Sequence, residues 1–143
     1  MEKIIKKTTD AKLTSSTIFH GVGRRKKCVA RVWVRRGSGS IRVNGKGYTE
    51  YFDTKFDADN AVRALQVCSF DKEFDIKVNV LGGGKCGQAD AVRLGIARAL
   101  VDMDSELKSI LRQNGLVTVD SRIKERKKYG QRGARRKFQF VKR

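Results

Sequence analysis

The residues here that could carry out chemistry are a single histidine, His20, three cysteines, a glycine-rich loop beside Lys85, a few spaced aspartates and thirty-three lysines and arginines. Most of them lack the companions that catalysis requires. One imidazole cannot serve as both general acid and general base, and no serine or cysteine is spaced with His20 as a triad would need. His20 therefore reads as a packed or surface residue. Cys28, Cys68 and Cys86 form no CxxC pair, which argues against a zinc ribbon, and their odd number argues against a closed disulfide framework. They read as reduced packing residues. Asp53, Asp57 and Asp59 lack the spacing and the glycine of a calcium loop. The run Gly82-Gly83-Gly84-Lys85-Cys86-Gly87 continues into Gln88 and Ala89, which is not the Gly-Lys-Ser/Thr ending of a Walker A motif. Gly21-Val22-Gly23 has no third glycine at the dinucleotide step. The chain has no proline, so the PCxxC of a zinc nucleobase deaminase is missing too. No catalytic constellation, metal site or cofactor site emerges.

What remains is the chemistry of fixed cations toward phosphate, and their placement is uneven. Residues 120–143 hold eleven basic and two acidic side chains, a net of +9 out of +18 for the whole chain. Apolar residues there (Ile123, Tyr129, Ala134, Phe138, Phe140, Val141) are few and aperiodic. Such a segment cannot offset its ordering entropy, so it is expected to be disordered alone and to fold against an anion. Extended, it would reach on the order of 80 Å. Upstream, Arg24-Arg25-Lys26-Lys27 abuts a strand presenting Arg31 and Arg35, which predicts a contiguous basic patch. Trp33 sits in the middle of that face, either as a stacking platform for a base or as a packing residue. Lys85 and the helix start behind the glycine loop would favour a phosphate; the plainer alternative is a turn leading the chain into a helix. An anionic membrane is the rival polyanion, but no apolar run approaches spanning length and no amphipathic helix carries the charge.

The elements that must position these cations follow from periodicity. Residues 17–22 suit a first strand. Residues 27–36 alternate cleanly, with Cys28, Ala30, Val32 and Val34 on one face and Val29, Arg31, Trp33 and Arg35 on the other. Residues 37–40 read as a turn and 41–44 as a returning strand, which together predict a hairpin. A helix is expected over 57–67 with Asp57 as its cap, and a strand through Phe74, Ile76, Val78 and Val80. A second helix suits 88–101, and a third runs from Asp104 to a stop at Asn114-Gly115. A short strand is expected at 116–119. The sum is an α+β fold, a small sheet with helices on one face. Residues 17–119 form the expected globular domain, itself at a net of +7, between an N-terminal arm at 1–16 and the basic tail at 120–143.

Several separated stretches then resemble one family, in one order. They are Gly21-Val22-Gly23-Arg24-Arg25-Lys26 with Ala30-Arg31-Val32, and Gly82-Gly83-Gly84 with Gly87-Gln88-Ala89. Next come Arg93-Leu94-Gly95-Ile96-Ala97-Arg98-Ala99-Leu100, Asp120-Ser121-Arg122 and Glu125-Arg126-Lys127-Lys128-Tyr129-Gly130. Ala134-Arg135-Arg136 and Gln139-Phe140-Val141-Lys142-Arg143 complete the set. Over roughly residues 17–143 the chain is similar to the small-subunit ribosomal protein S9 family of bacteria and organelles. The resemblance implies a fold like domain two of ribosomal protein S5, in the head of the small subunit. Its implied partners are the 3′ major domain of 16S-like ribosomal RNA and neighbouring head proteins. Toward that RNA, the cations picked out above by charge and placement are the expected contacts: Arg24, Arg25, Lys26, Lys27, Arg31, Arg35, Lys85, Arg122, Arg126, Lys127, Lys128, Arg132, Arg135, Arg136 and Lys137. It also implies that Lys142 and Arg143 approach transfer RNA in the peptidyl site. The implied location is the ribosome of a bacterial cytoplasm or of an organelle. Two positions depart from the family's usual tip: Phe138 stands where proline precedes Gln, and Val141 where serine precedes the final Lys.

The rival class is a free-standing nucleic-acid module, such as a DNA-compacting protein or an RNA chaperone. A domain without an evident groove-reading helix, plus one long threading tail, disfavours DNA.

Overall fold

Alternating apolar and polar residues put one face of a strand in the core and the other in water, and the two central long strands of the sheet here follow that rule. In the computed structural model, which describes residues 17–140, the strands are β1 (Ile18–Arg25), β2 (Cys28–Arg36), β3 (Ile41–Val43), β4 (Lys46–Gly47) and β5 (Phe74–Leu81). The helices are α1 (Tyr48–Tyr51), α2 (Lys55–Val67), α3 (Lys85–Met103) and α4 (Leu107–Gln113). The expected arm at residues 1–16 and the expected transfer RNA contacts Lys142 and Arg143 lie outside the described residues, as does Val141. Five strands form one sheet in the order β1-β2-β5-β3-β4. Cys28, Ala30, Val32 and Val34 of β2 and Phe74, Ile76, Val78 and Val80 of β5 all turn into the core, where they meet the helices. The α+β expectation holds, with helices packed against the sheet.

The expected hairpin between residues 27–36 and 41–44 does not form, because β5 lies between them. β2 pairs antiparallel with β5, and β3 pairs parallel with β5, Ile41 opposite Ile76. The 37–40 turn arches over the start of β5 instead of folding back: Gly37 N–H donates to Glu73 O (2.9 Å), and Ile76 N–H to Ser40 O (2.8 Å). Burial fits this order. All four inward side chains of β5 are at most 4% exposed, as suits a strand paired on both sides. The real hairpins are β1–β2, closed at Lys26-Lys27, and β3–β4, closed at Asn44-Gly45. Asn44 and Gly45 both take positive φ (49° and 88°), the conformation a two-residue primed turn demands.

Asp75 organises the 37–40 turn. One carboxylate oxygen accepts from the Ser38 and Ser40 amides, both at 3.0 Å, and the other faces Arg35 at 3.3 Å. The Ser40 amide does most to draw the Asp75 pKa below its ordinary value, helped by Ser38 and Arg35 and opposed by burial. A depressed carboxyl contributes stability above its unfolded pKa of ~3.9 and loses it as pH falls through the folded value. The Ser38 and Ser40 amide resonances should therefore titrate with a midpoint below 3.8. An Asp75→Asn variant should show no such titration; a midpoint at or above 3.8 in the intact chain would mean the carboxylate does not hold the turn.

Helix α3 is the axis of the core, buried on most of its circumference. It lies directly on edge strand β1 through small residues: Gly21 and Gly23 on the strand, and Ala91, Gly95 and Ala99 at four-residue steps on the helix. A Cβ at Gly23 would stand 1.8 Å from Ala91 O, and one at Gly21 2.1 Å from Gly95 O. The glycine bracket is thus a backbone-to-backbone seat. Arg98 on the same helix donates to Val22 O (2.7 Å), satisfying an edge carbonyl that would otherwise need water.

Smaller corrections concern caps and the last strand. Helix α2 starts two residues earlier than expected, and Thr54 caps it. Thr54 Oγ1 accepts from Asp57 N–H (3.2 Å) and donates to the Asp57 carboxylate (2.9 Å). Asp104 accepts from Glu106 N–H (2.9 Å) in the turn ahead of α4, whose N-cap is Glu106. Gly115, at φ +67°, ends α4 as expected, with Leu116 N–H returning to Leu111 O. That return buries Leu116, but residues 116–119 form no strand and pair with none of the five.

Candidate nucleic-acid interface

The strand register sorts the predicted cations into two groups. Arg24 and Arg31 stand on the open face of the sheet, exposed, with side chains that take no hydrogen bond or ion pair among the described residues. Lys26 and Lys27 form the β1–β2 turn, Lys26 at φ +52°, and are likewise exposed and unpaired among the described residues. These four face solvent.

Arg25, Arg35 and Lys85 are committed to the protein itself. Arg25 points to the helix side, its side chain only 13% exposed. Its guanidinium reaches the Asp90 carboxylate (3.4 Å), the Asp120 carboxylate (3.0 Å), Asp120 O (3.3 Å) and Arg122 O (2.7 Å). It ties the hairpin to α3 and to the first residues of the basic segment. Arg35 is paired with Asp75. Lys85 donates from Nζ to Tyr51 O (2.8 Å) and sits 3.6 Å above the Tyr51 ring. Tyr51 Oη in turn donates to Gln88 Oε1 (2.8 Å), and Gln88 Nε2 donates to Gly82 O (3.0 Å). The glycine loop is therefore a fitted turn. Gly82 and Gly83 take φ of +78° and +62°, and a Cβ on Gly83 would meet Cys28 Sγ at 2.2 Å. Burial pushes the Cys28 thiol up, and the half-buried Cys68 up to about 11, so neither is a ready nucleophile.

Residues 120–140 carry no helix or strand, and nearly all are exposed. Arg122 holds Asp120 in a forked pair, with Nη2 at 2.7 Å from the carboxylate. Hydrogen bonding to Arg122, above all, keeps the Asp120 carboxyl well below the usual range. Arg135 pairs with Glu125, and Arg132 stacks 5.5 Å from the Phe138 ring. Arg126 donates to Lys127 O (3.1 Å). Lys127, Arg136 and Lys137 project with no side-chain partner among the described residues, while Lys128 lies near enough to Glu125 to help Arg135 lower the pKa of its carboxyl. Exposed pairs such as Arg135–Glu125 are worth little in water and can give way to phosphate.

Reasoning from sequence missed Arg42 and Lys77. They continue the row of Trp33 across the open face, Lys77 opposite Trp33 and Arg42 opposite Lys77. Alternation with Phe74, Ile76, Val78 and Val80 puts Lys77 on the wet face of its strand, but which strands adjoin β2 is a long-range fact. Among the described residues, no cluster of His, Cys, Asp or Glu could hold a metal, and no helix is long and apolar enough to cross a membrane.

Comparison with known proteins identifies the family. The family described as ribosomal protein S9/S16 matches residues 23–143. Small ribosomal subunit protein uS9 of Cytophaga hutchinsonii is 52% identical over 126 residues, 88% of this chain and 98% of its own length. The proteins of the same name from Maridesulfovibrio salexigens and Solidesulfovibrio magneticus are 53% and 50% identical over 129 residues, 90% of this chain and 99% of theirs. With half the residues shared along almost the full length of these relatives, the chain belongs to the ribosomal protein S9/S16 family, structural proteins of the ribosome and not enzymes.

Proposed function

We propose that the chain binds 16S-like ribosomal RNA in the head of the small subunit and extends its C-terminal tip to transfer RNA in the peptidyl site. The observation that carries this reading is the stretch 121–137, nine basic side chains on exposed, irregular backbone. Such a segment has no core of its own to serve and offers phosphates a line of charge-assisted donors. In this reading residues 17–119 are the globular body, and Arg24, Arg31, Lys26 and Lys27 add a second set of phosphate contacts. Arg25, Arg35 and Lys85 support the RNA surface from within. Neighbouring head proteins complete the surroundings, and the bacterial relatives favour a bacterial ribosome over an organellar one.

Contact with transfer RNA falls to Lys142 and Arg143. A peptidyl site must accept every transfer RNA, so contact with the shared phosphate backbone is the appropriate chemistry. Arg143 offers a forked donor; its own carboxylate opposes the approach. Deleting both residues should leave subunit assembly nearly intact, since nine tail cations and the domain remain. It should weaken filter-bound transfer RNA on such subunits by up to ten- to hundredfold, from the ~1.5–3 kcal/mol of a charged hydrogen bond. Equal affinity for truncated and intact subunits would remove the tip from the site.

A further inference from the structure

The open face of the sheet has a composition that a merely solvated face does not need. Register aligns it in four rows across the strands. Ile18, Arg35 and Asp75 form the first; His20, Trp33, Lys77 and Arg42 the second; Val22, Arg31 and Asn79 the third; Arg24, Val29 and Leu81 the fourth. The second row puts two rings together, with His20 and Trp33 centroids 5.4 Å apart and planes at 46°, and sets two cations beside them. Ile18 and Leu81, 61% and 69% exposed, extend the apolar floor. Arg24, Arg31, Lys77 and Arg42 have no side-chain partner among the described residues, whereas Arg35 is neutralised by Asp75. The face therefore carries a local charge of +4 around an aromatic centre, with its one carboxylate confined to one end. A groove of about 900 Å³ runs beside Trp33, lined also by Ile18, Arg35, Arg42, Asp75 and Lys77.

We propose that this face is a binding site for single-stranded RNA, in which an unpaired base stacks on the Trp33–His20 platform while Arg31, Lys77, Arg42 and Arg24 take the flanking phosphates. It rests on the RNA-binding reading above and adds a second, structured site to the irregular tail. The chemistry selects the strand type. A duplex hides its bases and offers only phosphates, which the tail serves equally well. A tilted pair of rings edged by cations is used fully only when a base is splayed out to stack on one of them. An acidic protein partner would satisfy the cations but leave the paired rings without a purpose.

Trp33 is the only tryptophan in the chain, so its fluorescence reports this face alone. The full-length protein is titrated with a fluorescently labelled single-stranded octaadenylate, a duplex RNA of matched charge, and inorganic polyphosphate. Anisotropy (polyphosphate by competition) follows overall binding, and Trp33 emission follows the platform. The expected result is binding by all three, with saturable quenching of Trp33 by the single strand only. Trp33→Ala should weaken single-strand binding by about 5- to 150-fold, the range of one lost stacking contact. It should leave duplex binding unchanged, and Trp33→Phe should retain most of the affinity. Replacing Arg31 and Lys77 by Gln should lower the log–log salt slope for the single strand by up to ~1.4. If the single strand binds without quenching Trp33, or if duplex and polyphosphate quench equally, the proposal fails while the tail reading stands. If no RNA binds at all, both fail together. The fluorescence arm uses the unaltered chain, so it remains decisive even if Trp33→Ala folds poorly.

Discussion

Gly23→Ala is expected to cost the domain about 3 kcal/mol or more, enough to lower its melting temperature by ~10–20 °C. The added methyl would stand 1.8 Å from Ala91 O and 2.6 Å from Gly95 N. Both are backbone atoms of a buried helix, so no rotamer change can relieve the contact. Either β1 leaves α3 or the whole helix shifts, and close-packed interiors transmit such strain instead of absorbing it. Since β1 also carries Arg24 and Arg25, the shift would disturb both the open face and the root of the tail. Gly47→Ala is the control: nothing lies within 4 Å of its Cβ position, and its φ is not in the left-handed region. Thermal or urea unfolding of both variants measures the difference. A Gly23→Ala protein melting within two or three degrees of the Gly47→Ala control would mean that the strand is not seated on the helix as described.

Arg25→Gln is expected to free the root of the basic segment. The guanidinium makes two carbonyl hydrogen bonds and two ion pairs in one place, and Gln can replace only a fraction of them. Global stability should fall only about 1–2 kcal/mol, because the site is partly solvated and Asp90 keeps Asn60 and Arg93 while Asp120 keeps Arg122. The local effect should be larger in proportion. Loss of ~1.4 kcal/mol of local anchoring raises the open population tenfold, so trypsin should cut after Arg122 and Lys124 about ten times faster. A cycle with Asp120→Asn should give a coupling of ~0.5–3 kcal/mol. The salt dependence of RNA binding distinguishes an anchor from a ligand. Arg24→Gln should reduce the log–log slope by ~0.7–0.9, whereas Arg25→Gln should leave it unchanged. An equal drop for both would make Arg25 a phosphate ligand after all.

Much of this architecture is legible in the amino-acid order, and the reason is locality. The alternation of Cys28, Ala30, Val32 and Val34 and that of Phe74, Ile76, Val78 and Val80 identify strands and their buried faces, because a two-residue period needs no partner to be read. The three- and four-residue steps in 58–65 and 89–101 identify α2 and α3 in the same way, and Asn114-Gly115 marks the end of α4. The concentration of cations in residues 120–143 is a matter of counting, and the separated motifs sufficed for the family. What folding alone decided involves partners far apart in the chain. A turn at residues 37–40 reads the same whether the chain folds back or arches over a third strand; the arch goes with β5 pairing between β2 and β3. Arg24 and Arg25 look alike in sequence, yet Arg24 faces water and Arg25 meets Asp90 and Asp120, because α3 and the start of the basic segment come to lie on Arg25's side of β1. Gly21 and Gly23 resemble a nucleotide loop until Ala91, Gly95 and Ala99 come to lie on them. Trp33 acquires Lys77 and Arg42 as neighbours only when β5 and β3 pair beside β2. Periodicity and charge are properties of single segments and can be read from them, whereas strand order, close backbone approach and the pairing of buried charges depend on which segments meet.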